Sequence, residues 1–144
     1  LQTDERIHLS GMVEPGEMPA FYAAMDLLVL PTYREGFPNV PMEAAAMGLP
    51  VVASRVPGCI EAVEDGVTGT LVPVRDAAAL TEALRRYLAD PALRTRHGQA
   101  GRARMLRDFA PEALWHAQYQ EYVALLERRG RGGQLADRTT SPID

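Results

Sequence analysis

Two glutamates separated by seven residues, Glu35 and Glu43, bracket the stretch Gly36-Phe37-Pro38-Asn39-Val40-Pro41-Met42. The stretch follows the apolar run Leu27-Leu28-Val29-Leu30 and leads into a helical pattern, so it reads as a loop at the end of a buried strand. Asn39 is expected as the N-cap of the helix, with Pro41 in its first turn and Gly48 closing it as C′ before Pro50. Open amides around Val40 and Met42, at the positive end of the helix dipole, suit an anion such as a diphosphate. Two carboxylates beside a phosphate make sense if they accept hydrogen bonds from neighbouring hydroxyls, as an acidic residue holds a ribose in dinucleotide folds. One on a ribose and one on a hexose would bracket a sugar nucleotide. The residues alone leave an equal alternative: Glu35 as a solvated loop residue, and Glu43 as a carboxylate merely favoured near a helix N-terminus.

The elements that would position this segment alternate. Strands are expected at Arg6–Ser10, Leu27–Leu30, Pro50–Ala53 and Thr70–Val72. Helices are expected at 16–25, where Met18, Phe21, Tyr22 and Met25 keep helical spacing, and at roughly 40–47 and 57–64. From Asp76, a plausible N-cap, the pattern is helical to about residue 128, with breaks at Asp90-Pro91 and before Pro111. Strand–helix alternation with buried-type strands predicts an α/β fold, a parallel sheet flanked by helices on both faces. Four strands are few for such a sheet, and the chain starts without methionine, so a flank is expected to be missing on the N-terminal side. One domain is expected over 1–128 and a flexible tail over 129–144.

The 144 residues include 47% hydrophobic ones, enough for one domain with its own core. A net charge of −4 argues against a nucleic-acid partner. One cysteine, Cys59, excludes an internal disulfide and fits a reducing cytoplasm. No apolar run approaches the length of a membrane span, and no leader is apparent.

The segment Glu35-Gly36-Phe37-Pro38-Asn39-Val40-Pro41-Met42-Glu43-Ala44 resembles the Glu-X7-Glu motif of retaining GT-B glycosyltransferases of family four. Its surroundings resemble that family too: Ser10-Gly11-Met12-Val13, Tyr22 through Pro31, Gly48 through Ser54, Pro57-Gly58, Glu61, and Asp65-Gly66-Val67-Thr68-Gly69. The resemblance covers about residues 6–127. It implies the C-terminal, donor-binding, Rossmann-like half of a GT-B enzyme. In that family pattern Glu43 holds the ribose hydroxyls, and Glu35 contacts the transferred sugar as the catalytic-site carboxylate. Amides of Gly36, Phe37, Asn39 and Val40 meet sugar and diphosphate, and main-chain groups near Met12 and Val13 read the base. The resemblance further implies a UDP- or GDP-linked sugar as substrate, no cofactor and no metal.

Its implied partners are the N-terminal GT-B domain and a sugar or lipid-linked acceptor, in bacterial surface polysaccharide or glycoconjugate synthesis. The implied location is the cytoplasm, with the full-length enzyme at the inner face of the membrane. The Arg and Lys that neutralise the diphosphate in the family have no counterpart here, nor does the acceptor domain, so the chain alone is expected to be inactive. Alternatives are a nucleotide-sugar epimerase and a non-catalytic nucleotide-binding module of the same fold.

Other chemistry-bearing residues read more plainly. His8, His97 and His116 are scattered and no Asp-x-Asp occurs, which predicts no metal site. Cys59 reads as a small buried residue and Ser54 as a strand end without a base. The arginines from Arg94 to Arg107 read as a solvated helix face, and Trp115, Tyr119 and Tyr122 as core packing, with the alternative that some of them are exposed for want of the N-terminal GT-B domain.

Overall fold

A computed structural model describes residues 4–129. In chain order these form α1 (Met18–Ala23), β1 (Leu28–Leu30), α2 (Asn39–Ala46), β2 (Val51–Ser54) and α3 (Pro57–Ala62). They continue with β3 (Gly69–Val72), α4 (Ala77–Ala89), α5 (Pro91–Asp108) and α6 (Pro111–Arg128). A first compact unit ends at Met105 and a second begins at Leu106. The tail expected after Arg129 lies outside the described residues.

The three strands are parallel and lie side by side in sequence order, with Leu28 opposite Val51 and Ala53 opposite Leu71. β2 is central and buried at every position, which is why it reads as an unbroken apolar run. Its side chains alternate between two layers. Val51 and Ala53 pack with Tyr22, Ala44, Cys59 and Leu71, while Val52 packs with Val72, Ala83, Tyr87 and Leu93. Right-handed crossovers between strands in sequential order put α2 and α3 on one face, and α4 with the start of α5 covers the other. In that second layer the Tyr87 hydroxyl lies 3.1 Å from Thr70 Oγ1 and 2.8 Å from His97 Nδ1, so the buried polar groups there are satisfied.

Helix ends follow local rules. Asp76 caps α4, its carboxylate accepting from the Ala79 amide at 2.9 Å. Gly48, at φ +80°, ends α2 as expected: its amide donates to Ala45 O, and that of Leu49 to Ala44 O, both at 2.9 Å. That is the Schellman pattern, and its left-handed residue favours glycine. Gly98 of α5 then packs onto this turn so closely that a Cβ would sit 1.9 Å from Gly48 O.

Two expectations fail and one holds only in part. Arg6–Ser10 is not a strand: it follows a turn closed by Ile7 N–Asp4 O, and Leu9 is 82% exposed. No described strand lies beside it, and a strand without a ladder has nothing to satisfy its backbone. The arginines of α5 are a solvated face only in part: Arg96, Arg102 and Arg107 are exposed, yet several of the guanidiniums are engaged. Arg94 donates to Tyr87 O, Arg102 to Ala46 O at 2.6 Å, and Arg104 to Ala62 O and Glu61 O at 2.8 and 2.7 Å. Each thus reaches the carbonyl end of α4, α2 or α3, where a cation meets both the unpaired acceptors and the negative dipole end. On α6, Trp115, Tyr119 and Tyr122 are exposed rather than core.

Candidate functional site

The segment 31–38 leaves the carboxyl end of β1 and enters α2, the place where open parallel sheets hold ligands. The N-cap of α2 is Pro38, extended at φ −76° and ψ 126°, so Asn39 is the first helical residue instead of the cap. The shift is one position, because proline has a fixed φ suited to that corner and is buried there. No side chain caps this turn, which leaves its opening amides at Asn39 and Val40 for solvent or a ligand.

The loop rests on α3. A Cβ on Gly58 would lie 1.9 Å from Gly36 O and 3.0 Å from Pro38 Cδ, so glycine at 58 lets the loop backbone settle on the first turn of α3. Beside it, Cys59 is fully buried. Burial, and after it the negative charge of Glu35, push the Cys59 thiol up, which keeps it inert as a nucleophile. Glu35 is half-buried on this loop.

Glu43 lies on α2 facing α1. Its Oε2 accepts a hydrogen bond of 2.7 Å from the hydroxyl of Tyr22, whose ring is 3% exposed in the core. Burial first, then this bond and the Glu43 charge, push the Tyr22 hydroxyl up to about 12. The phenol therefore stays a donor throughout the neutral range and holds the carboxylate by one oxygen, leaving Oε1 unengaged. Tyr22 was a periodicity residue in the sequence; only the fold reveals it as the partner of Glu43.

A cavity of about 410 Å³ is lined by this pair together with the apolar Val13, Pro15, Met18 and Met47. A mostly apolar cavity that includes an oriented carboxylate suits a flat heterocycle carrying a hydroxylated ring. The structure thus brings Val13 and Glu43 to one cavity and seats Gly36 on Gly58. The Met12 side chain, 95% exposed, is not among its walls. Among the described residues no cluster of three His, Cys, Asp or Glu could hold a metal ion.

A family model described as "Glycosyl transferases group 1" matches residues 1–90. A capsular polysaccharide biosynthesis glycosyltransferase, CapM of Staphylococcus aureus, is 36% identical over 108 residues, covering 75% of this chain and 28% of its own. The structure of sucrose-phosphate synthase from Thermosynechococcus elongatus superposes with a TM-score of 0.81 at 38% identity, over 85% of this chain and 31% of that one. Anabaena Alr3699/HepE, solved in complex with UDP, gives a TM-score of 0.70 at 28% identity, over 76% of this chain and 30% of that one. The chain thus spans under a third of the length of these relatives.

Proposed function

The chain belongs to the glycosyl transferases group 1 family and has the fold of a C-terminal GT-B half, and from that premise we propose that it holds the donor of a retaining hexosyltransferase. The donor is a nucleotide sugar, and the uridine nucleotide bound by Anabaena Alr3699/HepE supports UDP as its carrier. The base lies in the mostly apolar cavity against Val13, and Glu43, oriented by Tyr22, accepts from the ribose hydroxyls through its unengaged oxygen. The amides of Gly36, Asn39 and Val40 take the diphosphate and sugar, and Glu35 takes hydroxyls of the transferred hexose. The positive end of α2 stabilises the charge that grows on the diphosphate as the glycosidic bond breaks, without a metal ion.

The acceptor, sugar or lipid-linked, is bound by a further part of the enzyme, and the product is a bacterial surface polysaccharide or glycoconjugate, as the name of the CapM relative suggests. No helix among the described residues is long and apolar enough to cross a membrane. The full enzyme works at the inner face of the membrane by peripheral attachment.

The observation that carries this reading is the Tyr22–Glu43 bond in the wall of a mostly apolar cavity. Calorimetric titration with UDP, GDP and ADP tests it. Saturable binding of UDP, weakened by about 1–3 kcal/mol in Glu43→Ala, is expected. Equal affinity in the variant would remove Glu43 from the ribose, and no binding of any nucleotide, by this chain and by a longer one that carries the family's Arg and Lys, would overturn the donor site.

A further inference from the structure

A second cavity, of about 270 Å³, lies at the carboxyl ends of all three strands on the face covered by α4. Its walls include Tyr33, Ser54, Val72, Arg75, Asp76 and Leu80. It shares no residue with the cavity that Glu43 lines.

Ser54 ends β2 and is 4% exposed. Strand alternation turns its side chain to the same face as Val52, toward this cavity. The Ser54 hydroxyl bonds to no described residue, yet no buried side-chain polar atom among the described residues lacks a partner. Ser54 lines the cavity, and its hydroxyl is the part of this nearly buried residue that can bond there.

Arg75 is the one non-glycine among the described residues with a left-handed backbone, φ 61°. Such strain persists only where the surroundings hold it. The Arg75 guanidinium lies over the Tyr33 ring, 5.4 Å from its centroid, and makes no ion pair with a described carboxylate. Alongside, α4 begins. Asp76 engages only the Ala79 amide, so the Ala77 and Ala78 amides at the positive end of this 13-residue helix stay open.

Ser54, Arg75 and the Ala77 end of α4 line one cavity, together with the Asp76 carboxylate, whose Oδ1 accepts from the Ala79 amide. We propose that this cavity is a second anion site, taking the phosphate group of a small phosphorylated molecule. The phosphate oxygens accept from Arg75, Ser54 and the first turn of α4. The remaining space, walled by Pro31, Tyr33 and Leu80, takes a compact polar body such as a sugar ring.

The test is a titration of the full chain with inorganic phosphate and with glucose 6-phosphate, read by amide NMR at constant ionic strength. Saturable shifts at Ser54, Ala77 and Ala78 are expected, stronger for glucose 6-phosphate. Arg75→Asn should weaken binding at least tenfold, and Ser54→Ala several-fold, with UDP affinity retained in both. Asparagine tolerates the left-handed backbone, so Arg75→Asn keeps the fold, as an unchanged spectrum elsewhere would verify. Linear shifts, unchanged affinity in Arg75→Asn, or shifts confined to residues 36–42 would overturn the proposal. Loss of UDP binding in Arg75→Asn would overturn it too, by making the cavity part of the donor site.

Discussion

Removing one oxygen, in Tyr22→Phe, tests the logic of the donor site most directly. The ring stays in the core, where it is 3% exposed, and only the 2.7 Å bond to Glu43 Oε2 is lost. A hydrogen bond to a charged group contributes about 1.5–3 kcal/mol when both partners are desolvated. Glu43 is exposed, so water replaces most of that, and the cost is chiefly the lost orientation of the carboxylate. About 1 kcal/mol is a reasonable magnitude, or roughly a fivefold loss of UDP affinity. Calorimetry on Tyr22→Phe, Glu43→Ala and the double variant measures it as a cycle. If Tyr22 acts through Glu43, the double variant binds UDP no more weakly than Glu43→Ala alone. A further fivefold loss in the double variant would refute the positioning role and make Tyr22 an independent contact.

The remaining predictions concern pH and packing. The Tyr22 hydroxyl is raised from about 10 to about 12, so its contribution to stability is complete below pH 10 and is lost as pH rises from 10 through 12. Alkaline unfolding followed by circular dichroism should therefore be shallower in Tyr22→Phe. Burial first, then the charges of Arg96 and Arg86, hold His97 below its ordinary 6.5. Its contribution is present above that value and is lost as pH falls through the lowered one, so urea midpoints should drop on the acid side of pH 6.5. His97→Gln should flatten that drop. In Gly98→Ala the new methyl would meet Gly48 O at 1.9 Å; a loss of about 1–3 kcal/mol in urea unfolding is expected, despite the better helix propensity of alanine. Gly58→Ala drives the same kind of clash, 1.9 Å, into Gly36 O, and should weaken UDP-glucose binding more than UDP binding. Equal affinities would show that the loop seat does not matter.

Patterns local to a few residues were readable in the chain itself. Val51–Ser54 is a strand within an apolar run because both its faces are covered, and its neighbours Leu28–Leu30 and Gly69–Val72 are covered in part. The Asp76 cap and the Gly48 turn follow from residues five positions apart or fewer. The apolar run Leu27-Leu28-Val29-Leu30 and the helical pattern that follows put Glu35 on a strand-end loop and Glu43 on the next helix. What the chain could not disclose were meetings between distant residues. Tyr22 finds Glu43 only because α1 and α2 share one face of the sheet. Arg102 and Arg104 look like solvent residues until α5 carries them to the carbonyl ends of α2 and α3. Gly58 looks like an ordinary turn glycine until Gly36 settles on it. Arg6–Ser10 shows the reverse case, a segment with strand-like composition that pairs with no described strand. Periodicity records which face of an element is apolar, since side chains repeat every two or 3.6 residues. Which groups then meet depends on register, crossing and close approach, and those exist only once the elements are packed.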